Sequence, residues 1–408
     1  MGIIKALKCR ECNKEYSPTF IYICEECFGP LDVIYKLDNN ITKQTFENRS
    51  DLTYWRYFEI LPVEHKKNIV SLNGSITPLQ KADNLGNKLG GLKNLYIKND
   101  SVNPTFSFKD RPAGVAVSKA KEMNLPAVGC ASTGNLASAT AAHASKAQLP
   151  CYVFAPFDLE HVKIAQALSY GAKFIAVEGT YDDANRLASV IGDSNGYGIV
   201  NINMRPYYVE GSKTLAFEVL EQLNWTVPDV LVIPVGSGAM LNSICKGFEE
   251  MMDLGIISDI SNLRIVAAQP HGCAPIVDAY KNKSNEVIPV ERPDTIAKSL
   301  AIGDPGDGSY VLKRLRQFNG IGEEVSNDEI KRAILLLAKT EGIFTEPAGG
   351  VSVGVLKKLI EDNKIDRDEK IVCYVTGNGL KTTESILDLL PTLNPVKPNI
   401  QLVSAMIQ

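Results

Sequence analysis

The sequence predicts an α/β protein, with parallel twisted sheets flanked by helices, preceded by a small zinc-ribbon-like module. Two patterns carry that expectation. From about residue 95 onward, short apolar runs alternate with amphipathic helical runs, the signature of parallel βαβ units with right-handed crossovers. At the N-terminus, Cys9, Cys12, Cys24 and Cys27 form two C-x2-C knuckles, a spacing suited to a hairpin pair closing on one tetrahedral ion.

The module comes first along the chain. Four thiolates leave no open coordination position, so a zinc ion held there would be structural. A ribbon that has lost its metal satisfies the same pattern, whereas a disulfide pair does not suit a reducing compartment. The run 29–35 reads as the closing strand. Residues 36–70 are mixed and polar, with Tyr54-Trp55-Arg56-Tyr57-Phe58 as an aromatic anchor. Thr77-Pro78-Leu79 then leads into a short strand at 95–98. Further strands are expected at 127–130, 151–155, 173–177, 230–235, 264–269 and 370–376. Helical periodicity falls at 111–123, 136–146, 163–170, 181–192, 212–223, 239–253 and 328–341. Cys130, Cys151, Cys245, Cys273 and Cys373 read as isolated buried thiols. The tail from Leu390, with Pro391, Pro395 and Pro398, reads as an extension, docked or mobile.

At 408 residues the chain can build two or three units, each with its own core. A hydrophobic content of 45% and a charged content of 22% belong to an ordinary soluble globular protein. The net charge of −4 makes no electrostatic case for nucleic acid or an anionic membrane. No apolar run reaches the roughly 20 residues that span a bilayer. The first residues are too short for a secretory signal, and Ala6 stands where a myristoylation motif needs a hydroxyl. A cytoplasmic enzyme acting on a small molecule is the expectation.

Four loops carry the chemistry. Lys109 lies in Asn103-Pro-Thr-Phe-Ser-Phe-Lys-Asp-Arg111, at a loop-to-helix junction with Pro112 in the first helical turn. An ammonium beside an aromatic such as Phe108 loses solvation, so more of it is the free amine that attacks an aldehyde. A surface lysine paired with Asp110 is the plainer alternative. The loop Ala131-Ser-Thr-Gly-Asn135 offers hydroxyls, an amide and helix-start N–H groups to an anion or a phenolic oxygen, or simply caps its helix. After the apolar run 230–234, Gly236, Ser237, Gly238, Ala239 and Met240 form a turn into a helix, suited to a phosphate or to no ligand at all. It is neither a Walker loop nor a good dinucleotide fingerprint, since Leu241 holds the third glycine position. In the last loop, Thr376 offers a neutral hydroxyl suited to an unprotonated pyridine nitrogen, or to a turn. One ligand accounts for all four loops together: pyridoxal 5′-phosphate.

These motifs, with Glu346-Pro-Ala348 and Thr376-Gly-Asn-Gly379, resemble those of the threonine synthase family. That family lies within the tryptophan-synthase-β-like (fold type II) pyridoxal-phosphate enzymes. The likeness runs from the ribbon, through Trp55-Arg56 and Thr77-Pro-Leu79, to about Asp388. It implies a two-domain fold, with a large cofactor domain at 36–100 and 206–390 and a small domain at 101–205. The ribbon occupies 1–35 and a C-terminal extension 391–408. It further implies that Lys109 holds the cofactor aldehyde, Asn135 faces the cofactor O3′, Gly236 to Met240 bind its phosphate and Thr376 meets its ring nitrogen. Two departures stand out: Phe106 replaces a small residue before Ser107, and Leu136 replaces a hydroxyl near the substrate phosphate.

The implied reaction converts O-phospho-L-homoserine and water to L-threonine and phosphate. Lys109 would move protons at Cα and Cβ, Ser132 and Thr133 would grip the substrate carboxylate, and Lys163 and Arg205 would supply cations. A homodimer is implied by the same resemblance. Another enzyme of this cofactor class (a threonine/serine dehydratase, or a β-replacement enzyme making cysteate or cysteine) is the nearest alternative. A zinc-ribbon adaptor on an inactive scaffold is the alternative from a different class.

Overall fold

The computed structural model describes residues 4–37, 40–132, 134–157, 161–392 and 395–407, without the side chains of 161–163 and 402. Among these residues, the N-terminal module is a three-stranded antiparallel sheet of β1 (Ile4–Cys9), β2 (Glu15–Tyr16) and β3 (Leu31–Tyr35), in the order β2-β1-β3. The strands β4 (Leu79–Lys81) and β5 (Asn94–Asn99) follow. Next come β6 (Val128–Ala131), β7 (Cys151–Pro156), β8 (Lys173–Val177) and β9 (Gly198–Ile199), which form a parallel four-stranded sheet ordered β8-β7-β6-β9. Finally β10 (Val230–Pro234), β11 (Arg264–Pro270), β12 (Ile321–Val325) and β13 (Lys370–Val375) join β4 and β5 in a six-stranded sheet.

The order of that larger sheet is β12-β11-β10-β13-β5-β4, parallel except for the antiparallel edge strand β4. Helices cover both faces of its centre, so β10 is apolar on both sides and Val-Leu-Val-Ile-Pro is buried throughout. One core fills each face of this sheet. The smaller sheet shares its core with the module, through Leu7, Val33, Val128, Val153 and Tyr207.

Two differences from sequence expectation have clear causes. The helix expected at 212–223 is two helices, Arg205–Ser212 and Thr214–Gln222, joined at Lys213. Pro206 in the first turn starts the run early, and the buried Lys213 ammonium at the joint meets Glu210 at 2.8 Å and Glu250 at 2.7 Å. The helix Pro347–Glu361 and the strand β12 were not legible as periodic runs. The helix is buried nearly all round and rich in Gly and Val, so it has no polar stripe. In β12, Glu323 sits at a core position because Lys281 and Lys358 pair with it at 2.9 and 3.1 Å. The five isolated cysteines are all buried. No described helix is long and apolar enough to cross a membrane.

Candidate active site

The strand order sets β10, β13 and β5 side by side and parallel, so the turns after all three open on one edge of the sheet. The glycine turn follows β10, Thr376 follows β13, and the Lys109 loop follows β5. Backbone bonds tie two of these together. The Phe108 N–H donates to the Thr376 carbonyl at 2.8 Å, and the Asn378 N–H donates to the Phe106 carbonyl at 3.0 Å. A third segment joins them, because the Glu346 N–H donates to the Gly377 carbonyl at 3.0 Å.

Phe106 in this junction has a positive φ of 65°, an uncommon conformation for a bulky residue. It bends the chain so that Ser107 pairs with Gly377 and Lys109 starts the helix Asp110–Glu122. The Lys109 ammonium is half-buried and does not pair with Asp110. Its Nζ meets the Tyr208 hydroxyl at 3.0 Å and lies 4.6 Å from the centre of the Phe108 ring. Asp110 instead accepts the Thr105 N–H at 2.7 Å, and burial pushes its carboxyl upward.

Beneath the lysine, Arg111 is fully buried. It donates to Asp100 at 2.6 and 3.0 Å, and to Glu218 at 2.5 and 2.8 Å. Lys98 completes the network, 2.6 Å from Glu218. Two cations and two carboxylates therefore cancel in a site without water access, the condition under which such charges are tolerated. Burial by itself would raise the Glu218 carboxyl, but Arg111 and Lys98 hold it down to about 2.

Asn135 begins the helix Asn135–Ala147 after β6, and its side-chain amide donates to Glu346 Oε2 at 2.9 Å. Glu346 is 4% exposed, and burial raises its carboxyl against the pull of that hydrogen bond, of Lys381 and of Lys109. The loop after the small sheet thus meets the edge of the large one through an Asn–Glu contact. Gly377 makes room for it, since a Cβ there would lie 2.4 Å from the Glu346 carboxyl.

In the glycine turn, Gly238 has φ +95°, and a Cβ would come within 2.7 Å of Val311. The turn delivers the N-terminus of the 15-residue helix Ala239–Asp253 to the same sheet edge. Tyr208, which touches Lys109, shares one packed cluster with Ala239. A half-buried amine, a glycine-walled helix start and a neutral hydroxyl at Thr376 form a donor set that suits pyridoxal 5′-phosphate.

The remaining sequence candidates divide. Ser132 stands at the end of β6, its hydroxyl accepting the Gly134 N–H at 3.3 Å. Thr133 lies outside the described residues, as does the side chain of Lys163, whose backbone is in the helix His161–Ser169. Arg205 is bonded to Asp307, a partner that no sequence pattern announces. Tyr208, Lys381 and Glu346 join the site without a role that the sequence assigns them. For Glu346 a signal existed, a carboxylate directly before a helix-starting proline; for Tyr208 there was none.

A mainly parallel α/β sheet with this lysine, turn and hydroxyl on one edge defines a pyridoxal-phosphate enzyme of fold type II. The family model described as pyridoxal-phosphate dependent enzyme matches residues 70–377. A threonine synthase of Methanocaldococcus jannaschii is 40% identical over 385 residues, covering 93% of this chain and 94% of that protein. One from Methanosarcina acetivorans is 38% identical, covering 97% of both. Among solved structures, diaminopropionate ammonia lyase from Escherichia coli superposes with a TM-score of 0.66 at 18% identity, covering 81% of this chain and 92% of that one. Threonine deaminase isoform 2 from Solanum lycopersicum gives 0.65 at 23%, covering 78% and 84%. This chain belongs to the pyridoxal-phosphate dependent enzymes and, within them, to the threonine synthase family.

The N-terminal cysteines also converge. The sulfurs of Cys9, Cys12, Cys24 and Cys27 all lie within 4.8 Å of one another. Zn–S bonds of about 2.3 Å would place tetrahedral sulfurs a little under 4 Å apart, so the cluster fits one zinc ion. Gly29 is required there, since a Cβ would come 2.9 Å from the Cys9 sulfur.

Proposed function

We propose that this chain catalyses the threonine synthase reaction, converting O-phospho-L-homoserine and water to L-threonine and phosphate. The observation that supports it most is the hydrogen-bonded junction of the Lys109, Thr376 and Glu346 segments, with Asn135 reaching it from the other sheet. The likeness to threonine synthases over nearly the whole chain favours this reaction over others of the same cofactor class.

The bound cofactor supplies an electron sink for chemistry beside the substrate amino group. Lys109 Nζ would hold the cofactor aldehyde in the resting enzyme and move protons at Cα and Cβ during turnover. The Tyr208 hydroxyl, 3.0 Å away, steadies that amine between transfers. Asn135 would face the phenolic oxygen, its amide held by the Glu346 Oε2 that accepts from it. Gly236, Ser237, Gly238, Ala239 and Met240 would bind the cofactor phosphate, and Thr376 its ring nitrogen. Ser132 and Thr133 would grip the substrate carboxylate. Lys163 and Arg205 are the proposed cations for the substrate phosphate, with Arg205 sharing its guanidinium with Asp307.

The same proposal divides the chain into the ribbon at 1–35, a large domain at 36–100 and 206–390, a small domain at 101–205 and an extension at 391–408. It also makes the protein a cytoplasmic homodimer with no nucleic-acid partner. Release of phosphate and threonine from O-phospho-L-homoserine tests the activity. Lys109→Ala is expected to lose turnover by more than about 10³-fold, together with the visible absorption of the bound cofactor. Keto acid from threonine or serine, or cysteate from phosphoserine and sulfite, with no turnover of phosphohomoserine, would assign a different reaction.

A further inference from the structure

The buried carboxylate of Asp307 connects three parts of the molecule that the sequence separates widely. It is 1% exposed and immediately precedes the helix Gly308–Gln317. Its backbone N–H donates to the Ser237 carbonyl at 3.1 Å, and its Cβ would lie 3.0 Å from a Cβ built on Gly238, so it abuts the glycine turn. Its side chain accepts from Arg205 through Oδ2 and from Arg10 through Oδ1, the latter at 3.2 Å.

Arg10 belongs to the N-terminal module, between Cys9 and Cys12. Its other nitrogens fork onto Asp32 at 2.6 and 2.7 Å, and its guanidinium lies 4.9 Å from the Tyr310 ring. Tyr310 in turn donates to Glu11 of the same knuckle. The knuckle is thereby clamped onto the helix that follows Asp307.

The charges explain why two guanidinium groups converge there. A carboxylate against a turn that receives a phosphate would repel that phosphate, and strongly so in a buried setting. Paired with Arg10 and Arg205, the carboxylate no longer opposes the anion, while the Asp307 backbone N–H anchors the Ser237 carbonyl. We propose that Asp307 is a positioning residue for the cofactor-phosphate turn, and that Arg10 of the N-terminal module neutralises it. The module thus sets cofactor affinity across a domain boundary. This rests on the assignment of Gly236 to Met240 to the cofactor phosphate.

The test uses the full-length chain, stripped of cofactor and titrated by absorbance with pyridoxal 5′-phosphate and, separately, with pyridoxal. Arg10→Ala is expected to weaken pyridoxal phosphate about tenfold, the size of one lost charged hydrogen bond, while pyridoxal changes less than about twofold. Arg10→Lys, which keeps the charge and loses the fork, should fall between. Adding Asp307→Asn should largely abolish the effect of Arg10→Ala, because no carboxylate remains to be neutralised. Equal weakening of both ligands, or of neither, overturns the proposal. Gly238→Ala separates the two levels. If it discriminates between the ligands and Arg10→Ala does not, only the role of Arg10 and Asp307 is wrong; if neither discriminates, the phosphate assignment falls as well. Should Arg10→Ala fail to fold by circular dichroism, Arg10→Gln, which keeps much of the length and removes the charge, takes its place and the same outcomes decide.

Discussion

A single side chain, Glu346, holds the amide of Asn135. Asn135 can present either its carbonyl or its amide to a ligand, and the Glu346 Oε2 2.9 Å away accepts the amide N–H. Replacing Glu346 by Gln keeps the shape but sets a donor beside the acceptor, so the Asn amide loses its preferred orientation. A buried polar group left without its partner costs about 1–3 kcal/mol, so Glu346→Gln is expected to lower kcat/KM roughly 10- to 100-fold with little change in unfolding midpoint. Steady-state kinetics with phosphohomoserine and thermal melts of the same samples check both halves. The strained φ of Phe106 belongs to this scale too. It lies beside the lysine, where local strain is held by the hydrogen bonds around it.

Among the elements, the ribbon is the one whose own core is too small to support it. Its three short strands bury Leu7, Leu31 and Val33, with Cys9 and Cys24 as part of the same cluster. Small modules of this size generally need a metal or crosslinks. The full-length protein is expected to carry one zinc ion per chain by elemental analysis. Cys12→Ser and Cys27→Ser, at the two exposed knuckle positions, should lose it and lower the first thermal transition by about 5 °C or more. A chain without zinc whose melting is untouched by both substitutions would mean that the ribbon stands without metal. The knuckles were legible in the sequence because cysteine spacing is a local property. The docking of Arg10 and Glu11 on the helix after Asp307 was not, since nothing near residue 10 names its partner about 300 positions away.

Across the whole molecule, the buried network of Lys98, Asp100, Arg111 and Glu218 joins β5, the helix after Lys109 and the helix Thr214–Gln222. It therefore couples the lysine loop to the large sheet. Glu218 titrates near 2 in the folded chain against an ordinary value of 4.5. Because the folded value is the lower one, its stabilisation is complete above the unfolded value and is lost as pH falls from about 4.5 toward 2. That shift corresponds to about 3 kcal/mol, so stability should decline through this window. Glu218→Gln should flatten the decline, while destabilising the protein at neutral pH by about 3–5 kcal/mol through the uncompensated cations. Denaturant titrations from pH 7 to pH 2.5 measure both. The sequence by itself determined the alternation of strands and helices, the cysteine knuckles and the loops carrying Lys109, Asn135, the glycines and Thr376, because periodicity and short motifs depend only on neighbouring residues. Only the tertiary structure decided that Tyr208 meets the lysine, that Glu346 turns Asn135 and that Asp307 gathers two arginines. Those contacts exist because strand order and helix packing bring distant side chains within about 3 Å, a condition that no local pattern encodes.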